Sequence, residues 1–145
     1  MAYTVTISRV APQWILAARA VAKQSDVSKT MLGLLGPGWD FVKRNGIKTD
    51  GQNVAVYRGA PDGVAIEAGP RLLEKIESSV ATPSGLAASV IHMGPYEQLG
   101  QAHKAIVDWC AANGHVLEGT NWEVYGHHED DPAKRRTDVF YLLRS

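Results

Sequence analysis

Residues 113–125 read NGHVLEGTNWEVY, and residues 45–57 read NGIKTDGQNVAVY. The two stretches align without a gap at an offset of 68 residues, and six of their 13 positions are identical. Upstream of them, the pair Asp40 and Phe41 lies over the pair Asp108 and Trp109. A self-similar segment of this kind indicates two copies of one structural unit, here a helix end, a turn and a strand. We therefore predict one domain over residues 1–145, with pseudo-symmetric halves of about 1–75 and 76–145 around a shared cleft.

One of the differences between the two copies changes the chemistry of the strand. The first copy has Ala55 where the second has Glu123. In a strand, Glu123 and Tyr125 lie on one face and Trp122 lies on the other. One interpretation places Glu123 on a solvated sheet face, as is usual for glutamate. The other places it in an apolar cleft, where desolvation raises the pKa of a carboxylate unless a cation offsets it. There it would attract a cation when ionised, or serve as a general base.

The overall composition favours a globular protein that lacks a charged binding surface. Fifteen basic residues balance 15 acidic ones, which argues against direct binding of nucleic acid or of an anionic membrane. The only cysteine is Cys110, so no disulfide forms within the chain. The N-terminal sequence lacks the order of a signal peptide, and no apolar run reaches the length of a membrane span. We expect a cytoplasmic location and no cofactor.

The elements predicted from the sequence pattern are strands with one long helix in each half, which is an α+β arrangement. Residues 3–10 and 13–22 are predicted strands, although the alanines of the second leave a helix open. A helix capped by Ser25 or Ser28 is expected to break at residues 36–38, GPG, and to resume until Gly46. Hairpins are predicted on either side of residues 60–62 and of the polar loop at 129–135. Gly94 is expected to cap the second helix, with Pro95 at its first helical position and Glu97 as the capping-box carboxylate.

The second half carries a family resemblance. Residues 92–114, HMGPYEQLGQAHKAIVDWCAANG, and residues 122–143, WEVYGHHEDDPAKRRTDVFYLL, resemble the helix and final hairpin of GyrI-like small-molecule-binding domains. Such domains also form the effector-binding part of AraC- and MerR-type transcription regulators. The resemblance covers residues 84–143, and no DNA-binding module accompanies it, so it implies a stand-alone member with two pseudo-symmetric halves around a ligand cleft. The strand glutamate of the family, here Glu123, is then expected to project into that cleft, and Asp138 stands where the family often has glutamate.

The candidate binding residues follow from that expectation and from the aromatic content. Aromatic side chains can stack on a flat ligand, and the expected ligand-binding set is Trp39, Tyr57, Tyr96, Trp122, Glu123, Tyr125 and Asp138. Most aromatic residues at regular spacing are core residues, and Trp109 is the clearest example. His92 and His103 are interpreted as structural histidines. The histidines and acids at 127–131 are interpreted as a solvated loop, so no metal site is expected.

Three functions remain open from the sequence. The first is the binding of a hydrophobic, aromatic and cationic small molecule, with Glu123 as the polar anchor. The second, which the resemblance implies for some family members, is hydrolysis of strained cyclopropane compounds, with Glu123, Tyr96 and Tyr125 as the catalytic residues. The third is a protein-interaction role like that of the family's gyrase inhibitors, which would give this chain a protein partner.

Overall fold

The computed structural model describes residues 3–144, and within them nine strands and two α-helices follow one another. In chain order they are β1 (Thr6–Val10), β2 (Trp14–Ile15), β3 (Ala18–Ala22), α1 (Val27–Asn45), β4 (Thr49–Ala60), β5 (Gly63–Leu72), β6 (Val80–Ala81), β7 (Gly85–Met93), α2 (Leu99–Ala112), β8 (Leu117–Tyr125) and β9 (Arg136–Leu143). The strand pairs described below are antiparallel. The α+β class predicted from the sequence is confirmed. No helix among residues 3–144 is both long and apolar enough to cross a membrane.

The chain folds as two compact units. The N-terminal unit is Pro12–Pro83, and the C-terminal unit combines residues 3–11 with residues 84–144. In the C-terminal unit, β7 pairs with β1 on one side and with β9 on the other, and β9 also pairs with β8. Strand β1 therefore belongs to the sheet of the C-terminal unit, although it opens the sequence.

Helix α2 covers one face of the sheet in the C-terminal unit. Directly opposed residues of antiparallel strands share a face, so the pairs Val90–Val139 and Glu123–Val139 place these three side chains together. The same face supplies the core that packs against α2, which consists of Ala88, Val90, Ala102, Ile106, Cys110, Val139 and Leu143. Glu123 thus lies on the face that the helix covers.

The N-terminal unit repeats this plan. Strand β5 pairs with β4 and with β3, and the short strand β2 joins β5 to β6. Helix α1 packs against β5 and β3, with Leu16, Val42 and Leu72 in a core that Trp39 and Phe41 border. Each unit therefore has the order strand, helix, strand, strand, with the first strand paired to the last.

Two features of the backbone repeat at the offset of 68 residues, a shift in strand register and a glycine with positive φ. The β4–β5 register shifts between Thr49 and Asn53, and the β8–β9 register shifts between Leu117 and Asn121, which are positions 49 + 68 and 53 + 68. Gly46 and Gly114 have φ values of 61° and 76° and follow the two helices. This left-handed conformation costs a non-glycine residue about 1–2 kcal/mol. The repeated glycine therefore marks a turn that both copies need.

The expected break at residues 36–38 is wrong, because α1 runs unbroken from Val27 to Asn45 with Pro37 inside it. Gly38 is buried, and a Cβ placed on it would lie 2.5 Å from Pro70 Cδ and 2.9 Å from the Leu16 carbonyl oxygen. This glycine lets the helix approach the sheet closely. Packing against the strands therefore holds a helix that Pro37 and the glycines on either side of it would weaken in isolation.

The predicted helix starts are also wrong. Asp26 precedes α1, and no side-chain hydrogen bond caps that helix, so neither Ser25 nor Ser28 has the expected role. In the C-terminal unit a 3-10 turn, Tyr96–Gln98, precedes α2, which begins only at Leu99. No side-chain cap is formed at either start, so Gly94, Pro95 and Glu97 do not form a capping box. The predicted stop at Asn113 and Gly114 is confirmed.

Candidate functional site

Glu123 is a buried carboxylate at the centre of a polar cluster in the C-terminal unit. Only 5% of the residue is exposed. Its Oε1 accepts a hydrogen bond from the Tyr125 hydroxyl at 2.5 Å, and its Oε2 lies 2.9 Å from His103 Nε2. A buried charge is tolerated only where hydrogen bonds or an opposite charge compensate its lost hydration. The interpretation that placed Glu123 on a solvated sheet face is therefore wrong.

His103 connects Glu123 to a second tyrosine. Its Nδ1 lies 2.7 Å from the Tyr141 hydroxyl, and the two rings meet edge to face with centroids 5.5 Å apart. Burial, followed by the charge of Glu123, raises the pKa of Tyr141 to about 12, so its hydroxyl keeps its proton. A neutral imidazole then fits both contacts, because Nε2–H donates to Glu123 and Nδ1 accepts from Tyr141. We call Tyr125, Glu123, His103 and Tyr141 the Glu123 cluster.

An aromatic surface adjoins the Glu123 cluster. The Tyr96 ring meets the Tyr125 ring edge to face with centroids 6.0 Å apart, and Tyr96 is 42% exposed. The guanidinium of Arg135 lies 5.3 Å from the Tyr96 ring centroid, a cation–π contact. Tyr96 therefore presents an aromatic ring to solvent beside a buried carboxylate. Its expected place in the wall of a binding site stays a prediction.

Two more polar residues lie on the same sheet face, farther along β7 and β9. His92 is fully buried, its Nδ1 lies 2.9 Å from the Tyr3 hydroxyl, and its Nε2 lies 3.1 Å from the Pro95 carbonyl oxygen. This histidine is structural, as expected. Thr137, which pairs with both His92 and Tyr125 across the sheet, is fully buried, and its Oγ1 has no hydrogen-bond partner among residues 3–144.

The cluster is present in only one of the two repeats. The sequence offset of 68 makes His103 equivalent to Leu35 of α1 (35 + 68 = 103), just as it makes Glu123 equivalent to Ala55. Ala55 is fully buried. Where the N-terminal unit has two apolar side chains, the C-terminal unit therefore has a hydrogen-bonded acid and base. The pair is an addition to the shared framework.

Two of the expected ligand-binding residues lie on the opposite sheet face from Glu123. Trp122 is 4% exposed and stacks on Phe140 with ring centroids 5.1 Å apart. Asp138 accepts two hydrogen bonds from the Arg136 guanidinium, at 2.8 and 3.1 Å. The hydrogen bond to Asp138 and the charge of that carboxylate raise the pKa of Arg136. The role of Trp122 and Asp138 in ligand binding stays a prediction.

The remaining two expected residues belong to the N-terminal unit. Trp39 donates from Nε1 to the Asn53 side-chain oxygen at 2.7 Å, and it borders the core around Val42. Tyr57 pairs with Ile66 and stands on the same strand face as Asn53, which is the face toward α1. Tyr57 and Tyr125 thus occupy equivalent positions in the two units. Their contact with a ligand stays a prediction.

Among residues 3–144, no group of three or more histidine, cysteine or acidic side chains is arranged to hold a metal ion. In the loop after β8, His128 pairs with Asp130 at 2.9 Å, and their side chains are 82% and 99% exposed. Cys110 is buried in the core under α2, and burial raises the pKa of its thiol.

Three residues of this region, His103, Tyr141 and Arg135, are absent from the set expected from the sequence. His103 has the pattern of a structural histidine. One signal pointed to His103, because its spacing from Tyr96, Leu99 and Ile106 places a polar ring on the apolar helix face. Nothing comparable marks Tyr141, which looks like an ordinary strand tyrosine.

Known structures share this arrangement of elements. The C-terminal domain of EcmrR superposes on the whole chain with a TM-score of 0.79 and 19% identity, and 99% of that domain is covered. In the EcmrR–DNA complex, the chain spans 58% of EcmrR, with a TM-score of 0.74 and 20% identity over 99% of this chain. The chain has the GyrI-like fold predicted from its sequence. At these identities the likeness concerns the fold alone.

Two further proteins with this fold are known with a bound ligand or by an activity. SAV2435, solved with bound tetraphenylphosphonium, has a TM-score of 0.65 and 10% identity, over 100% of this chain and 95% of that one. A hydrolase from Listeria innocua has a TM-score of 0.61 and 10% identity, over 97% of this chain and 91% of that one. No protein-family model matches this sequence, and comparison with curated proteins gives no match.

Proposed function

We propose that this chain binds hydrophobic aromatic cations at the Glu123 cluster. One observation carries the proposal: a carboxylate that is 5% exposed lies beside Tyr125, and Tyr125 in turn contacts the half-exposed ring of Tyr96. Burying a carboxylate costs free energy that a bound cation recovers in a medium of low dielectric constant. An organic cation with aromatic groups also loses little hydration when it enters such a site.

The aromatic residues add shape and a second source of attraction. Tyr96 and Tyr125 meet edge to face, so a flat ring or a cation can approach an aromatic surface while its charge is close to Glu123. The structure of SAV2435 with tetraphenylphosphonium supports this proposal, since that protein has the same fold and binds a cation of this kind. Tetraphenylphosphonium is therefore the natural first probe.

The test is a titration of tetraphenylphosphonium into the wild-type protein and into Glu123→Gln, followed by calorimetry and tryptophan fluorescence. We expect micromolar binding to the wild type, and binding weakened by about tenfold or more in the variant, because the charge–charge attraction is lost. Triphenylphosphine oxide, a neutral aromatic probe, should bind both proteins alike. Glu118→Gln, on the same strand but exposed, is the matched control and should bind the cation as the wild type does. Equal loss for both probes in Glu123→Gln would contradict an electrostatic role.

A second candidate function is hydrolysis of a strained electrophile at the same cluster. It is favoured by the hydrogen bond that His103 donates to Glu123, because this contact places a carboxylate and an imidazole, two groups able to move protons, side by side. In a cyclopropane conjugated to a dienone, water oxygen would bond to a ring carbon while the strained carbon–carbon bond breaks toward the dienone. Glu123 would take the water proton, and Tyr96 or Tyr125 would hydrogen-bond the oxygen that gains charge. The hydrolase from Listeria innocua with this fold supports testing it.

The assay for this second function incubates such a compound with wild type, Glu123→Gln and Glu118→Gln, and follows ring opening by chromatography. General-base assistance contributes about 10²–10⁴-fold, so Glu123→Gln should lose a factor of that size while still binding the product. The Glu118→Gln control should keep the wild-type rate. Unchanged substrate after hours with the wild-type protein would leave cation binding as the function.

A further inference from the structure

His103 is the neighbour of Glu123 that can itself carry a positive charge. His103 Nε2 lies 2.9 Å from Glu123 Oε2. Of the side chains alone, 24% of His103 and 7% of Glu123 are exposed to solvent. The imidazole is thus the more solvent-accessible partner, and it can exchange protons with water more readily than the carboxylate can. We infer that His103 determines the charge selectivity of the site, because a protonated His103 takes the place of a ligand cation as the partner of Glu123. This inference rests on the proposed binding of cations.

The hydrogen bonds around His103 make its neutral form the one that suits a cation-binding site. Tyr141 donates to Nδ1 and Nε2–H donates to Glu123, so the imidazole needs no second proton. In that state the pair has a net charge of −1 and attracts a cation. When Nδ1 gains a proton, the Tyr141 hydroxyl must become an acceptor, and the net charge of the pair becomes zero. The site then favours neutral aromatic ligands over cations.

The remaining titratable groups near His103 in the C-terminal unit do not replace it in this role. Strands β8 and β9 present Tyr125 and Tyr141, which are neutral phenols that donate hydrogen bonds, and β7 presents His92, which is held by Tyr3 and Pro95. Arg135 lies over Tyr96, and on α2 itself Lys104 pairs with Asp108 at the surface. His103 is in direct contact with Glu123, with its Nε2 2.9 Å from Oε2 of the carboxylate.

Comparison of the two repeats supports a dedicated role for the pair. The equivalent positions in the N-terminal unit, Leu35 and Ala55, show that the fold accepts apolar residues at both places. The acid and base are therefore not required by the framework. Since a polar or charged pair inside a protein is often no more stabilising than an apolar pair of similar size, the presence of this pair in one repeat is better explained by ligand selection.

The experiment measures tetraphenylphosphonium affinity between about pH 5 and about pH 8, the range in which imidazoles generally change charge. We expect wild-type affinity to fall by about tenfold or more as the pH falls, because cation and proton compete and their coupling is reciprocal. His103→Gln, whose amide can donate to Glu123 but not titrate, should bind at pH 8 within about threefold of the wild type and show a flatter profile. His128→Gln, an exposed histidine, should keep the wild-type profile.

Two further measurements test the role of His103 without replacing His103 itself. Tyr141→Phe removes the hydrogen bond that favours neutral His103, so the midpoint of the affinity profile should move to higher pH. A merely structural residue would not move that midpoint. Triphenylphosphine oxide should show no pH dependence in any of these proteins.

The outcomes separate this inference from the proposed function. If Glu123→Gln weakens the cation but His103→Gln and the wild type have the same pH profile, the role of His103 is overturned and cation binding stands. If the wild type does not bind tetraphenylphosphonium at any pH, the proposed function fails first. If His103→Gln does not fold, an unmoved midpoint in Tyr141→Phe overturns the inference.

Discussion

His103 Nε2 lies 2.9 Å from Glu123 Oε2, although the two residues are 20 positions apart and belong to a helix and a strand. The contact exists because α2 packs across the sheet face on which Glu123 stands. It joins a buried acid to a partly exposed base, and Tyr125 and Tyr141 extend it on either side. Both the binding proposal and the role of His103 depend on this one contact.

The energetic coupling of the pair can be measured with a double-mutant cycle. His103→Leu and Glu123→Ala reproduce the residues of the N-terminal repeat, Leu35 and Ala55. His103→Leu alone should lower the free energy of unfolding by about 1–3 kcal/mol, because a buried carboxylate loses a hydrogen-bond donor. The double variant should lose less than the sum of the single variants, with a coupling of about 0.5–3 kcal/mol. Urea unfolding measures all four proteins, and strict additivity would contradict a direct interaction.

The raised pKa of Tyr141 predicts how the stability of the protein changes at alkaline pH. The pKa of Tyr141 is raised to about 12 in the folded protein, above the value of about 10 for an unperturbed tyrosine. The folded state therefore binds this proton more tightly than the unfolded state, and the contribution is complete below about pH 10. It is lost as the pH rises toward 12. Tyr141→Phe should show a shallower fall in stability over that interval, and a fall as steep as that of the wild type would contradict the assignment.

The unpartnered hydroxyl of Thr137 predicts a substitution that does not weaken the fold. Its Oγ1 is buried and has no hydrogen-bond partner among residues 3–144, and an unsatisfied polar group of this kind costs about 1–3 kcal/mol. Thr137→Val keeps the shape and removes the hydroxyl, so thermal unfolding should occur at the same or a higher temperature. Thr120→Val is the control, because Thr120 Oγ1 donates to Glu118 at 3.1 Å, and it should gain nothing. A clear loss of stability in Thr137→Val would show that the hydroxyl has a partner in solution.

Gly36 and Gly38 of α1 are a matched pair that tests how closely this helix packs against Pro70. A Cβ on Gly38 would lie 2.5 Å from Pro70 Cδ, whereas a Cβ on Gly36 meets nothing within 4 Å. Gly38→Ala should therefore cost about 1–3 kcal/mol through overpacking. Gly36→Ala should gain about 0.5–1 kcal/mol, because alanine favours a helix more than glycine does. Guanidinium unfolding compares the two variants, and equal effects would mean that the close approach of α1 to Pro70 is absent in solution.

The sequence by itself determined the framework of this protein. Alternating apolar positions, Gly46 and Gly114, and the 68-residue repeat depend on the backbone preferences of neighbouring residues, and such local preferences can be read without a structure. The α+β class and the turn after each helix both followed from them. The contrast between Ala55 and Glu123 also marked the position where one copy departs from the other.

The tertiary structure decided what those local patterns left open. Residues 36–38 stay helical because Gly38 fits against Pro70 and the Leu16 carbonyl, and no local signal shows which strand a helix will meet. The meeting of His103, Glu123 and Tyr141 likewise depends on helix-to-sheet packing between residues 20 and 38 positions apart. Packing of this kind sums many weak contacts over a whole surface. It therefore becomes visible only when the folded chain brings those residues together.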